Sequence, residues 1–293
     1  MRAAGVWMAA MSALAAIDGA QTGRTAMNPE DTRKINLSRQ IAVPNREGAE
    51  TLAGSLPAGD VGDALKDMAG NEKAPVRMLV LELASKYPSE GASRAILSRL
   101  QDTNLTVRSI AGGLIGMIAQ KSVVPEMLEL AEQDLDPRVR GALARQVGMI
   151  GDAGDLPRLR TQYRAAQDPG LKNDLAAAMA RLGDEAYRKD LIRRLTDPEA
   201  AVRLAAFRDT LYVGDRRLAL YFRPAVEDRR NAMVVSFPHD PVVWARVCDV
   251  AIQTLAGLGL QLSYGTVPTR RFTEAEIQEA LQILNALAKT QAQ

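Results

Sequence analysis

An apolar residue followed by a base returns along this chain at a near-constant interval. Val76-Arg77, Val107-Arg108, Val139-Arg140, Leu171-Lys172 and Val202-Arg203 follow one another in steps that differ by no more than one position. Arg46 stands one such step before Arg77, behind Asn45 rather than Val, and Arg246 arrives only after a longer gap. A second marker keeps the same register. At a fixed distance after each base come Pro57, Pro88, Ala119, Gly151, Gly183, Gly214 and Gly257, three of them as Gly-Asp. Self-similarity at a fixed period is the mark of stacked supersecondary units, which share one elongated core instead of enclosing a central one.

The best-formed unit shows what is repeated. Asp136 is a natural N-cap and Pro137 a natural first helical residue. Apolar side chains then fall at Val139, Ala142, Leu143, Val147 and Ile150, the spacing of one helical face. Gly151-Asp152 stops that helix, and a second opens at Asp155-Leu156-Pro157 and runs to the Asp168-Pro169 that starts the next unit. Matching faces recur at Val107, Ile110, Ala111, Ile115 and Ile118, and at Leu171, Leu175, Met179 and Leu182. Neither helix of a pair can bury its face alone, so neighbours must stack. The apolar content of 47% with only 4% aromatics suits helices packed closely through small residues. The expected fold is all-α: an α-α superhelix (solenoid) of about six or seven helical-hairpin repeats of about 31–32 residues, with an irregular C-terminal insertion and a capping helix.

Outside the array, residues 1–20 read as a signal peptide: one base at Arg2, an uncharged Ala-rich stretch, and small residues at Ala13-Leu14-Ala15. Residues 21–44 read as a spacer with an N-terminal helix opening at Asn28-Pro29, and residues 45–222 as the repeats. The long gap before Arg246 places an insertion loop at 223–242, in which Met233 to Phe237 is a short β-prone run. Residues 243–293 read as an irregular last repeat, with Trp244, Val247, Val250, Ala251 and Leu255 on a helical face, and a cap whose helix opens at Thr273-Glu274-Ala275-Glu276.

Asp-Pro-x-Val-Arg, then an Ala/Leu-rich helix, then Leu/Ile-Gly-Asp resembles the HEAT-like repeats first associated with phycobilisome lyases. The resemblance covers residues 45–222 and, less cleanly, 240–260. It implies an α-α superhelix with the Val-Arg helices on its concave side, and it carries little about function, since such repeats serve very different proteins. The first unit departs from the pattern in Asn45 and in lacking Asp-Pro, the fourth in Lys172.

The recurring base admits two readings, a basic ladder for a ligand or a set of structural staples. An acid accompanies almost every base, which favours staples made by Arg77, Arg108, Arg140, Lys172 and Arg203 with loop aspartates such as Asp102, Asp136, Asp168 and Asp197. Insertions in solenoids map to loops that often bind, so Met233, Val235, Phe237, His239 and Trp244 are candidate contacts for a partner. Folding of the same segment over the end of the stack as a cap stands as an equal alternative.

Chemistry has little purchase here. One histidine and one cysteine leave no metal-ligand spacing, and no phosphate-binding loop, nucleophile elbow or dinucleotide fingerprint occurs. No cofactor is expected. The net charge of +2 and the scarcity of aromatics argue against nucleic acid, acids lying near most arginine pairs. No stretch after the signal approaches a transmembrane span. The expectation is a non-catalytic scaffold or adaptor that binds another protein, exported to the bacterial cell envelope if the signal is real and cytoplasmic otherwise. Two rivals stand beside it: a bilin lyase-like or chaperone subunit acting with a partner, and a DNA glycosylase-type enzyme of similar architecture.

Overall fold

The structure, a computed structural model, describes residues 29–134, 136–235, 243–267 and 270–291. The fold is all-α, built of helix pairs of the superhelical repeat class. The chain divides into two compact units, Met1–Ala111 and Gly112–Gln293.

In the first unit, α1 (Pro29–Ala42) precedes two helix pairs, α2 (Arg46–Ala53) with α3 (Ala58–Met68) and α4 (Ala74–Lys86) with α5 (Glu90–Ser98). Helix α6 (Leu105–Leu114) starts in this unit and runs across its boundary. Each start has a local cause. The Asn45 side chain accepts from Gly48 N–H at 3.1 Å, the Ser89 hydroxyl accepts from Ala92 N–H at 3.1 Å, and Pro75 sits in the first turn of α4. Helix α1, the N-terminal helix expected within residues 21–44, packs on α2 and α3 and buries Leu37 and Ile41 completely. Helices α3 and α5 cross at Gly62 and Gly91, where a Cβ on Gly91 would overlap the Gly62 backbone.

In the second unit, short 3-10 turns at Ile115–Met117 and Lys121–Val123 lead into α7 (Val124–Gln133). Then come α8 (Pro137–Ile150) with α9 (Leu156–Ala165), α10 (Pro169–Arg181) with α11 (Glu185–Leu195), and α12 (Ala200–Val213) with a 3-10 stretch at Arg216–Phe222. The periodic markers behave as caps and corners. Asp136 accepts from Arg138 N–H at 2.9 Å, Asp168 from Leu171 N–H at 2.8 Å, and Gly214 closes α12 in the left-handed conformation with φ 70°.

The expected insertion loop at 223–242 holds regular structure. A short helix α13 (Arg223–Val226) is followed by strand β1 (Asn231–Val235), paired antiparallel with β2 (Val243–Arg246) in the register Met233 to Ala245, Val234 to Trp244 and Val235 to Val243. Trp244 is therefore on a strand, not on the helical face expected for it: helix α14 (Val247–Gly257) begins after Arg246. The pair Val243-Trp244 is β-branched and aromatic, and pairing with β1 overrides its helical spacing. The described residues between 258 and 273 cross without regular structure to α15 (Glu274–Gln291). The first turn of α15 carries the expected reciprocal cap: Thr273 N–H donates to Glu276 Oε2 at 2.8 Å and Glu276 N–H to Thr273 Oγ1 at 3.3 Å. Helix α15 closes the stack over Phe222, Ile252 and Leu255, with Ile277, Leu281 and Leu284 in the same cluster. Phe207 and Phe222 stack there at 4.9 Å, each burial contributing about 2–3 kcal/mol.

Candidate interaction surface and its charged supports

The ladder bases have one recurrent task and one occasional one. Arg77, Arg108 and Arg203 each donate to a carbonyl in the loop that enters their own helix: Asn71 at 2.8 Å, Asp102 and Asp197. Arg140 instead reaches Ala131 C=O at 2.7 Å. Lys172 lies over the Tyr163 ring, 5.9 Å from its centre. Of these five bases only Arg77 and Arg203 also meet a carboxylate, in each case one supplied by the next unit. Arg77 grips Asp102 with two bonds of 2.7 and 2.8 Å, and Arg203 binds Asp228. These two guanidiniums are the buried ones of the ladder, 7% and 3% exposed, and a buried cation needs a counter-charge. The Arg77 bonds hold the Asp102 carboxyl below its usual range. Two other expected staple acids do something else. Asp136 and Asp168 cap their own helices, and Asp136 pairs with Arg138 at 3.0 Å. The Asp197 carboxylate accepts from Glu199 N–H at 2.9 Å, so only its carbonyl serves Arg203. Acids at a helix start are drawn first to the free N–H groups beside them.

A charged network in the second unit escapes the repeat pattern. Arg145 on α8 donates to Asp174 on α10 at 2.5 Å and to Asp209 on α12 at 2.7 Å. Arg194 on α11 meets Asp209 from the other side at 3.0 Å and Asp190 at 3.1 Å. Tyr212 completes it, with the Arg145 and Arg181 guanidiniums 4.8 and 5.4 Å from its ring centre and its hydroxyl donating to Arg145 C=O. Burial works against the Arg145 charge, but the two carboxylates outweigh it and raise its pKa. Burial also pushes the Tyr212 phenol up, so it stays a neutral donor. The visible hint was Asp174, a carboxylate at a position that other units fill with an apolar residue.

Asp249 is the other such lapse. It is wholly buried in α14, yet it accepts from Arg246 N–H at 3.0 Å, from Arg246 Nε and Nη2 at 2.9 and 2.8 Å, and from Phe272 N–H at 3.1 Å. Desolvation alone would raise its pKa, but these donors reverse the direction and lower it. Its neighbour Cys248 is also buried, and desolvation pushes that thiol up, away from the reactive thiolate. Among the described residues no three His, Cys, Asp or Glu side chains are grouped to hold a metal ion, and no helix is long and apolar enough to cross a membrane.

Of the five candidate contact residues, Met233 and Val235 fall on β1 and Trp244 on β2; Phe237 and His239 lie outside the described residues. The base of the hairpin is held from several sides. Val247 N–H donates to Arg230 C=O at 3.0 Å, Cys248 N–H to Asp228 C=O at 2.9 Å, and Arg271 to Asn231 Oδ1 at 3.1 Å. Asp228 is in addition the carboxylate shared by Arg203 and Arg230.

No curated protein matches the sequence. Among solved structures, a chain in the complex of CpcE and CpcF of phycocyanin lyase from Nostoc sp. PCC7120 is similar at 15% identity and a TM-score of 0.44, over 91% of this chain and 97% of that one. The family described as HEAT repeats matches residues 93–180, the stretch that holds α6 to α9 and nearly all of α10.

Proposed function

We propose that the chain is a non-catalytic scaffold that binds another protein, exported to the cell envelope by the segment at 1–20, with the β1–β2 hairpin as the contact element. The observation that carries this reading is the one break in the period. Where the repeats stop, the chain builds an antiparallel strand pair whose base is tied to α12 through Arg203–Asp228 and to α14 through two backbone bonds. A pre-formed, anchored element loses little entropy on binding, and a two-stranded sheet leaves strand edges for a partner's backbone. The buried acids and bases around it are committed to intramolecular bonds, which suits a support better than a reacting centre.

The test is capture of a partner from native extract by the chain and by a Met233→Ser/Val235→Ser/Trp244→Ser variant of equal helical content and melting behaviour. A partner held by the first and lost by the second supports the hairpin. Equal capture by both removes the hairpin from the reading. A visible absorption band carried through purification would instead favour a bilin lyase-like subunit. An N-terminus in the mature protein that still begins at Met1 would remove the export.

A further inference from the structure

We propose that Arg230, at the foot of the hairpin, is a displaceable cation that leaves Asp228 for a carboxylate of the partner protein while the buried Arg203 takes over both Asp228 oxygens, a step that rests on the hairpin being the contact element. Asp228 is one carboxylate between two guanidiniums, Arg203 from α12 and Arg230 from the loop that enters β1. Arg230 holds it from the solvent side, with Nε 2.9 and 3.1 Å from the two oxygens and Nη2 2.6 Å from Oδ2. Arg203 meets that same Oδ2 through Nη2 alone. Its Nε is buried and, alone among the buried side-chain nitrogens and oxygens of the described residues, has no hydrogen-bond partner.

The first unit shows the same pair without that competition. Arg77 stands to Asp102 as Arg203 stands to Asp228, 25 residues apart in each case. Arg77 closes both arms of its fork on the acid, Nε to Oδ2 at 2.7 Å and Nη2 to Oδ1 at 2.8 Å, and Arg99 joins at 3.1 Å without displacing either. Two residues after the acid comes Asn104 in the first unit and Arg230 in the second, and both donate their backbone N–H to its Oδ1, at 2.8 and 3.0 Å. Only the arginine side chain then folds back onto the carboxylate, and Arg203 loses its second bond. The Arg230 side chain is 63% exposed. An exposed ion pair contributes little, whereas a two-bond guanidinium–carboxylate pair is strong and a buried donor left unpaired is costly. Withdrawing Arg230 therefore gives up a weak pair and completes a buried one. Asp228 has only to turn its side chain, because its N–H donates to Ala225 C=O at 3.2 Å and its C=O accepts from Cys248 N–H at 2.9 Å. Two guanidiniums on one acid leave a positive charge over, and an Asp or Glu of the partner beside β1 is its complement.

The experiment compares the full chain with Arg230→Asn and Arg230→Gln, by thermal melting and by the arginine Nε–H signals of a nitrogen–proton correlation spectrum. Both variants are expected to melt at the temperature of the unaltered chain or up to about 4 °C above it. Both are expected to show one further Nε–H signal protected from exchange with water, that of Arg203. Hexaglutamate added to the unaltered chain is expected to bring out the same signal at the same position, and hexalysine is expected to leave the spectrum as it was. A fall in melting temperature in both variants, or no new signal in either, overturns the exchange and makes Arg230 a brace. A new signal in the variants with no response to hexaglutamate overturns the docking of a carboxylate. Neither outcome decides whether the hairpin binds, which stands or falls with the capture test on Met233, Val235 and Trp244.

Discussion

Arg145 on α8 donates to Asp209 on α12 at 2.7 Å, past the intervening helix α10. Repeat arrays hold together mainly through nearest neighbours, so a bond that skips a repeat ties three units into one cooperative block. It is possible because α10 is slim where the other two pass it, with Ala176, Ala177, Ala178 and Ala180 close together, and because Gly148 lets α8 come close to Ala178. Removing Arg145 would leave Asp209 buried with Arg194 alone and Asp174 without its 2.5 Å partner. Arg145→Met is expected to cost about 3 kcal/mol, the scale for breaking a buried pair from one side. Urea unfolding of Arg145→Met, Asp209→Asn and the double variant is expected to give a coupling of about 1 kcal/mol or more. Simple additivity would show that the two side chains act independently.

The ladder bases are expected to separate into two classes. Arg77→Gln removes both bonds to the buried Asp102 and the two carbonyl contacts at Asn71 and Glu72, and is expected to cost about 3 kcal/mol. Arg108→Gln removes one bond to a carbonyl from a half-buried side chain, and is expected to cost about 1 kcal/mol. Thermal melting of the two variants side by side measures the difference. Equal losses would mean that the loop carbonyl, and not the carboxylate of the next unit, is what the ladder serves.

Much of this was legible in the sequence, and the boundary is physical. Caps, corners and helix faces are local: Asp168 accepting from Leu171 N–H, or Gly214 at φ 70°, depends on a few adjacent residues. The period therefore conveys the helix pairs directly. Which carboxylate meets which base depends on how far apart helices settle, and the dyad is blind to that. Arg77 and Arg203 carry the same local pattern as Arg140, yet only the first two find an acid in the next unit. The Arg145 network is further from reach, because its members come from four helices with no common register. Asp209 and Asp249 each put a charge where burial wants carbon, and a buried acid needs donors aimed at it. Strand β2 was hidden for a different reason. Val243 to Arg246 continues smoothly into α14, and only the pairing with β1 reveals where the helix begins.

Acid should unpick the chain at Asp249 and Asp102. Both carboxyls titrate below their ordinary value in the folded chain. For Asp249 burial pushes upward and the Arg246 and Phe272 donors prevail, while for Asp102 the Arg77 bonds are the largest cause. A group whose folded pKa is depressed binds fewer protons folded than unfolded. Its stabilisation is complete above the unfolded value, about 3.9 for aspartate, and is lost as pH falls through the lower folded one. Stability measured by urea unfolding is therefore expected to be flat from pH 7 to about 5 with respect to these two groups and to drop steeply below about 4. Asp249→Asn keeps the shape of the side chain but sets an amide against the Arg246 guanidinium, so it is expected to lower stability at pH 7 and to flatten the acid limb. The protein and this variant would then converge as pH falls. Parallel curves, offset by the same amount from pH 7 to 3, would show that Asp249 does not contribute through its charge, and would leave the junction of α14 and the loop before α15 to packing of Phe272 alone.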